Sequence, residues 1–180
     1  MTDDLEPTRL WLELVLGGDQ ERLNAVAQLR KLAVEGRDAE ASLCDALEDT
    51  DGMVRFMAAE ALARARARPE EAVPVLQAVI EVAAEHYSDN PKLADDYLKV
   101  AIGALAWYGE QAGVALGELD IASRCASEQA RAYVAQTLGR MGVPTARVFD
   151  VLDRLAADES SLVRECAVEA TDYLRERGVS

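Results

Sequence analysis

The sequence predicts an all-α fold: a right-handed α-solenoid, or superhelix, of about five antiparallel helix pairs within one domain, residues 1–180. Three observations predict this fold class. The chain is 50% hydrophobic, yet only nine of its 180 residues are aromatic (two Trp, five Tyr and two Phe), which favours closely packed helices. One phrase recurs near the C-terminus, more than a hundred residues after its first copy. The five prolines and many of the eleven glycines fall between periodic segments, where helices end.

The recurring phrase defines an internal repeat. "DGMVRFMAAEAL" at 51–62 returns in large part as "DESSLVRECAVEA" at 158–170. Aligning the chain with itself gives five copies, whose reference positions are spaced by 31, 44, 32 and 33 residues. These positions are Leu23, Val54, Leu98, Ala130 and Val163. A period in this range is typical of stacked two-helix units.

Each copy is predicted to contain two helices, with the reference position on the second. The first helices are expected at about 7–16, 38–48, 70–86, 110–119 and 144–157. Three residues before the reference, Asp51, Asp95, Ser127 and Ser160 are good N-cap residues for the second helices. Apolar or small residues follow four places after each reference position, which gives every second helix one core-facing stripe. The repeats are expected at approximately 5–35, 38–67, 69–109, 110–142 and 143–178.

Two longer segments resemble a known family. "DGMVRFMAAEALARARARPEEAVPVLQAVI" and "TLGRMGVPTARVFDVL" resemble HEAT repeats, particularly the bacterial HEAT-like repeats of the phycobilisome-lyase type. The resemblance is clear for 38–86 and 127–177. It implies the solenoid fold, which is mostly used as a binding scaffold.

The resemblance also implies a ladder of charged residues between neighbouring repeats, in which an acid before the helix pairs with a base within it. Asp51 stands four residues before Arg55, and Asp158 stands six before Arg164. The expected ladder residues are Asp51, Arg55, Lys99, Arg131, Asp158 and Arg164. Alternatively, the four bases form a stripe for an anionic ligand, although nearby acids would largely neutralise it.

The charge is strongly acidic and uneven. The net charge is −14; residues 1–120 carry 24 acids and 11 bases, whereas residues 121–180 carry 9 acids and 8 bases. This balance argues against nucleic-acid binding, because phosphate backbones are repelled. The acidic charge either keeps the protein soluble or attracts a partner protein with a basic surface. The acidic start and the absence of a long apolar run predict a cytoplasmic protein that does not bind membranes. The widely spaced Cys44, Cys125 and Cys166 are expected to be reduced.

The third repeat is the predicted partner-binding region. Its spacing is about ten residues longer than its neighbours', and the extra residues are expected to form a loop around "EHYSDNPKLADDYLKV". Tyrosines at related offsets are expected to share one helix face, where they act either as interface anchors or as covers of the core edge. The candidate residues are Tyr87, Asp89, Asn90, Asp95, Asp96, Tyr97, Trp107, Tyr108, Tyr133 and Tyr173.

No motif in the sequence points to catalysis. The EF-hand pattern, a Cys/His zinc cluster, G-x-S-x-G and the phosphate-binding loop are all absent from the chain. We therefore expect no cofactor, no metal and no enzymatic activity. The predicted function is a non-catalytic scaffold or adaptor that binds a protein through its concave helix face and the third-repeat loop. The alternatives are an acidic inhibitor or immunity-type protein that masks a basic enzyme site, or an enzyme subunit like the bilin lyases that share this repeat. The oligomeric state is left open.

Overall fold

The computed structural model describes residues 10, 13, 14, 17–36 and 38–178, and within these residues every regular element is helical. One 3-10 helix, Gly109–Ala115, lies between α5 and α6. The α-helices are α1 (Asp19–Val34), α2 (Glu40–Ala46), α3 (Gly52–Ala65), α4 (Pro69–Glu85), α5 (Pro91–Tyr108), α6 (Leu116–Ala122), α7 (Glu128–Met141), α8 (Ala146–Leu155) and α9 (Ser161–Gly178). The predicted fold class, an all-α chain of solenoid type, is confirmed. None of the described helices is long and apolar enough to cross a membrane.

The chain divides into two compact units, Met1–Val75 and Leu76–Ser180. In the first unit α1 packs on α3, and α2 contacts both. In the second unit α5 packs on α7, α7 packs on α9, and α8 contacts both α7 and α9. Within each unit, the long helix of one pair therefore stacks on the long helix of the next pair, which is how solenoids bury apolar stripes that one pair cannot bury alone. The single domain over 1–180 stays a prediction.

The five reference positions all lie on the long helices α1, α3, α5, α7 and α9. Four of them, in α3, α5, α7 and α9, are at most 1% exposed. The side chains four positions later, Ala58, Ile102, Val134 and Ala167, are also fully buried. The predicted register of the core stripe is confirmed for these four helices. The first predicted segment, 7–16, lies largely outside the described residues.

The fourth short segment differs from the prediction. A continuous helix was expected over 110–119, but a 3-10 helix ends at Ala115 and α6 follows it. Gly109, Gly113 and Gly117 fall in this stretch. Glycine lowers α-helix propensity because it loses the most backbone freedom on folding, and Gly109 also adopts φ +58°. The stretch therefore forms a 3-10 helix followed by a short α-helix instead of one continuous α-helix.

The extra residues of the third repeat are helical, so the predicted loop insertion is wrong. After α4 ends, a turn over 86–89 leads to Asn90, whose side chain caps α5 by accepting from Leu93 N at 3.2 Å. Pro91 opens α5, where its missing N–H is not needed. This helix begins seven residues before its reference position Leu98, whereas α3, α7 and α9 begin two residues before theirs. Asp95 consequently lies inside α5 and is not its N-cap.

Helix α7 is held closely between its two neighbours. Thr137 Oγ1 donates a hydrogen bond of 3.2 Å to the carbonyl of Ile102 in α5. On the side of α9, a Cβ atom built on Gly139 would lie 3.0 Å from Ala170 Cβ and 3.2 Å from its Cα. The absence of a side chain at Gly139 therefore permits the close approach of α7 and α9.

Candidate functional site

Three arginines that occupy the same repeat position each bind the turn before their own helix. Arg55, Arg131 and Arg164 follow the reference positions of α3, α7 and α9. Each donates from Nη1 to the two backbone carbonyls that stand six and five residues earlier, at 2.7–3.2 Å. The acceptors are the carbonyls of Asp49 and Thr50, Cys125 and Ala126, and Asp158 and Glu159. The recurring base therefore fixes the turn within each helix pair.

Arg131 additionally connects one repeat to the next. Its Nε and Nη2 bind the two carboxylate oxygens of Asp158 at 2.8 and 2.9 Å. Only 9% of the Arg131 side chain and 12% of the Asp158 side chain are exposed. The hydrogen bond from Arg131 lowers the pKa of Asp158, and the same bond raises the pKa of Arg131. The expected pairing of the Asp158 carboxylate with Arg164 is corrected, because that carboxylate binds Arg131 of the preceding repeat and Arg164 binds the backbone carbonyls of Asp158 and Glu159.

A similar contact in the first unit identifies the acid that sequence reasoning missed. Asp49 Oδ2 lies 3.1 Å from Nε of Arg22, which belongs to the preceding repeat. Asp49 and Asp158 both stand five places before their reference positions, and each accepts from the backbone N–H two residues later. The recurrence of aspartate five places before the reference position could have identified this acid from the sequence. The expected pair of Asp51 with Arg55 is also corrected, since Asp51 caps α3 by accepting from Met53 N at 2.7 Å.

The third repeat is connected by different groups. Cys125 stands where the other two repeats have aspartate, so Lys99 has no matching acid at that position. Lys99 Nζ lies instead 5.9 Å from the ring centroid of Tyr133 on α7. Asp95 accepts a hydrogen bond from Ser127 Oγ, at the start of α7. These contacts link α5 to α7 without a salt bridge like that of Arg131.

A polar groove of ≈ 610 Å³ lies along the turns before α7 and α9, and its arginines are all paired. Arg131 binds Asp158, while Arg124 and Arg154 both bind Asp120. Burial raises the pKa of Asp120, but hydrogen bonds from Arg154 and Arg124 outweigh it and the pKa is lowered. Of the four bases of the alternative stripe, Arg131 lies in this groove, and its guanidinium group is already paired with the carboxylate of Asp158.

The depressed pKa of Asp158 predicts a pH-dependent contribution to stability. A carboxyl group with a folded pKa below its unfolded value, about 3.9, stabilises above that value and loses the contribution as pH falls through the folded pKa. Asp158→Asn should therefore be clearly less stable than the parent at pH 7, and the difference should shrink below about pH 4. Urea unfolding of both proteins across this range measures the difference.

The matched control for this pH series is Asp153→Asn, which changes an exposed carboxylate on α8. It should leave the free energy of unfolding nearly unchanged at every pH. A difference between parent and Asp158→Asn that stays constant from acid to neutral pH would contradict the role assigned to this carboxylate.

The turn residues of the predicted binding region mostly support local structure. Tyr87 OH donates to Asp95 at 3.4 Å, and Asp89 lies 3.2 Å from the exposed His86. Asn90 caps α5, as described above, whereas Asp96 is exposed on that helix. Asp95 on α5 therefore accepts hydrogen bonds from Tyr87 in the turn and from Ser127 at the start of α7.

The aromatic candidates fall into buried and exposed groups. Tyr108 is only 5% exposed, so its predicted place among surface anchors is corrected. Tyr97 and Tyr133 are half-buried, whereas Trp107 is 44% and Tyr173 47% exposed. Tyr173 OH accepts from Arg177 Nη1 at 3.1 Å on α9.

An exposed apolar line runs along α5, and of its residues only Trp107 was among the predicted site residues. Leu93, Val100 and Trp107 are 49%, 38% and 44% exposed and recur every seven residues, which places them on one side of the helix. Gly103 lies on the same side, and a Cβ added there would meet no atom within 4 Å. We call these four residues the α5 stripe. Among the described residues, no three His, Cys, Asp or Glu side chains are grouped to hold a metal ion.

The chain matches no protein-family model and no curated protein sequence. Among solved structures it is similar to an engineered protein, with 15% identity over 97% of this chain and 98% of that one, and a TM-score of 0.45. A designed armadillo repeat protein is 17% identical over 93% of this chain and 99% of that one, with a TM-score of 0.42. Human deoxyhypusine hydroxylase in complex with glycerol is 19% identical over 98% of both chains, with a TM-score of 0.32.

Proposed function

We propose that this protein is a non-catalytic interaction scaffold that binds another protein through the α5 stripe and the neighbouring Tyr133. The observation that carries the proposal is the alignment of Leu93, Val100 and Trp107 on one exposed side of a helix. Scattered surface hydrophobics are ordinary, but an aligned set rimmed by polar residues is typical of a protein-binding surface. The proposal keeps the predicted contact through a helix face but replaces the predicted third-repeat loop with α5.

The chemistry of the surface fits a protein partner. Trp and Tyr are enriched among the residues that dominate binding energy, because they bury large areas at low entropic cost. The gap over Gly103 gives a partner side chain room between Val100 and Trp107. Lys99, held over the Tyr133 ring, and Asp96 supply charges beside the apolar line. The surface therefore offers an apolar centre with a polar rim.

An inhibitor of an enzyme with a basic site is a second candidate, favoured by one observation. The net charge of −14 would attract such an enzyme over long distances and raise its association rate. The association rate with the partner should then fall steeply with added salt, whereas a scaffold that binds mainly through the α5 stripe should show a weak salt response.

A charged substitution in the stripe tests the scaffold proposal. Val100→Asp should weaken binding of the partner about tenfold or more, because it places a carboxylate in the centre of the interface. The partner is identified by capture from the native host with the parent protein, and its affinity for each purified variant is then measured. Circular dichroism establishes that each variant keeps its helicity.

Val168→Asp is the matched control, since Val168 is a 50% exposed valine on α9 outside the stripe. It introduces the same charge on a long helix of the same unit. Binding should survive this substitution. Equal affinities of the two variants for the captured partner would contradict the proposed surface.

A further inference from the structure

A second surface lies between α4 and α6, on elements that the α5 stripe does not use. Gln77 links α4 to the elements that face it. Its Nε2 donates to the carbonyl of Val114 in the 3-10 helix at 3.3 Å and to Glu118 Oε2 on α6 at 2.9 Å. A groove of ≈ 470 Å³ opens beside these contacts. It is lined by Glu81, Ala84, Glu85, Ile121, Arg124 and Cys125.

The apolar part of this groove is exposed to solvent. Ile121 is 50% exposed, and Val114, seven residues earlier beside Gln77, is 72% exposed. Ala84 and the half-buried Cys125 complete the apolar wall. Burial raises the pKa of the Cys125 thiol, so this side chain is neutral and acts as a small apolar group. The groove can therefore accept an apolar side chain from another molecule.

The rim of the groove carries negative charge from two glutamates. Glu81 and Glu85 stand one helical turn apart, are both exposed, and make no hydrogen bond or ion pair with the described residues. Like charges at this spacing on a helix repel each other. The nearby cation Arg124 is held by Asp120, with its Nη2 2.9 Å from Oδ2. A matching ligand must therefore bring positive charge.

We propose that the α4–α6 groove docks a basic amphipathic helix of another protein. One apolar side chain of that helix lies against Ile121, and two Lys or Arg side chains four residues apart face Glu81 and Glu85. The spacing of the two carboxylates along α4 equals one helical turn, so a helix laid along the groove matches both. A second copy of this chain fits the groove less well, because two molecules of net charge −14 repel each other.

A synthetic probe peptide tests this proposal. It is a fluorescein-labelled amphipathic helix of about 18 residues, with leucines on one face and lysines four residues apart beside them. Its binding to the full chain is measured by fluorescence anisotropy at low salt. The parent should bind it, and Glu81→Lys/Glu85→Lys should weaken binding about tenfold or more. Ile121→Ser should also weaken it, because the apolar contact is lost.

Glu165→Lys/Glu169→Lys is the matched control. It changes two exposed glutamates, also four residues apart, on α9, and alters the net charge by the same amount. Binding should change less than about twofold with this control and with Val100→Asp. Circular dichroism establishes the fold of every variant.

The remaining outcomes would overturn the proposal. Equal weakening by both double variants would mean that the probe senses only the overall charge. Loss of binding in Val100→Asp would place the probe on the α5 stripe, and absence of binding to the parent would remove the site. Concentration-dependent self-association of the parent, abolished by Ile121→Ser, would show that a second copy occupies the groove. The partner affinities of Val100→Asp and Val168→Asp separately decide the proposed function.

Discussion

Replacing Arg131 with alanine is expected to lower the free energy of unfolding by about 3 kcal/mol or more at pH 7. The substitution removes two hydrogen bonds to the Asp158 carboxylate and two to backbone carbonyls in the turn before α7. It leaves Asp158, whose side chain is 12% exposed, as a largely buried charge with no cation opposite it. Urea denaturation followed by circular dichroism measures the loss.

Arg164→Ala is the matched control for this prediction. Arg164 makes the equivalent two carbonyl contacts, at 2.7 and 2.8 Å, but is exposed and does not hold a buried carboxylate. Its loss should cost only about 1 kcal/mol. Similar costs for both variants would show that the contact between repeats adds nothing to the carbonyl contacts within each pair.

Substitution of Gly139 by valine is expected to destabilise the protein by about 2–3 kcal/mol. The new Cβ would meet Ala170 at 3.0 Å, which is closer than Cβ atoms normally approach, and the two further methyl groups would force α7 and α9 apart. Backbone atoms of Ala170 stand in the way, so rotation of a side chain cannot relieve the contact. Thermal and urea unfolding should both shift toward lower stability.

Gly103→Ala provides a control of opposite sign. Gly103 lies inside α5, and a Cβ there would meet no atom within 4 Å. Alanine should stabilise the helix by roughly 0.5–1 kcal/mol, because it has less backbone freedom to lose on folding. A Gly139→Val variant that is as stable as the parent would refute the close packing of α7 on α9.

The sequence was sufficient for the fold class and for the core register because both depend on periodicity. The reference positions Val54, Leu98, Ala130 and Val163 are all buried on helices, as their common alignment predicts. Such positions are determined by one helical face, and that face can be read without knowing its neighbour. The repeat was therefore visible even though the copies differ at most other positions.

The acid that pairs with Arg131 could not be inferred from periodicity in the same way. The repeated Arg was compared with acids in its own repeat, whereas Asp158 contacts Arg131 of the preceding repeat. The shared position of Asp49 and Asp158 gave a usable signal, but only if the register of one helix against the next was already known. Cys125 breaks this pattern in the fourth repeat, which weakened the signal further.

The third repeat shows why an unusual spacing does not by itself predict a loop. The extra residues after Asn90 extend α5 because they contain good helix formers and begin with an N-cap residue followed by proline. Trp107 was a predicted partner-binding residue, but the rest of the α5 stripe was missed for a different reason. Leu93, Val100 and Trp107 are apolar at helical spacing, which is also the pattern of a buried core stripe, and only the packing of α5 distinguishes the two.

Tyr108 and Trp107 illustrate the same limit at the level of neighbouring residues. They are adjacent in sequence and both aromatic, but they differ by 100° around the helix. Tyr108 is 5% exposed and Trp107 is 44% exposed. The candidate aromatic anchors could therefore be located on helices from the sequence, although which of them reach solvent depends on tertiary packing.

The central claim is that, within the second unit, long helices of successive repeats stack in a row, with α7 between α5 and α9 and with the α5 stripe left open on one side. A nuclear Overhauser spectrum of the isotopically labelled protein tests this claim most directly. We expect cross-peaks from the Gly139 Hα protons to the Ala170 methyl group, and from the Thr137 side chain to Ile102. Absence of either set in a folded sample, or strong contacts from α5 to α9 that bypass α7, would contradict the stacked row.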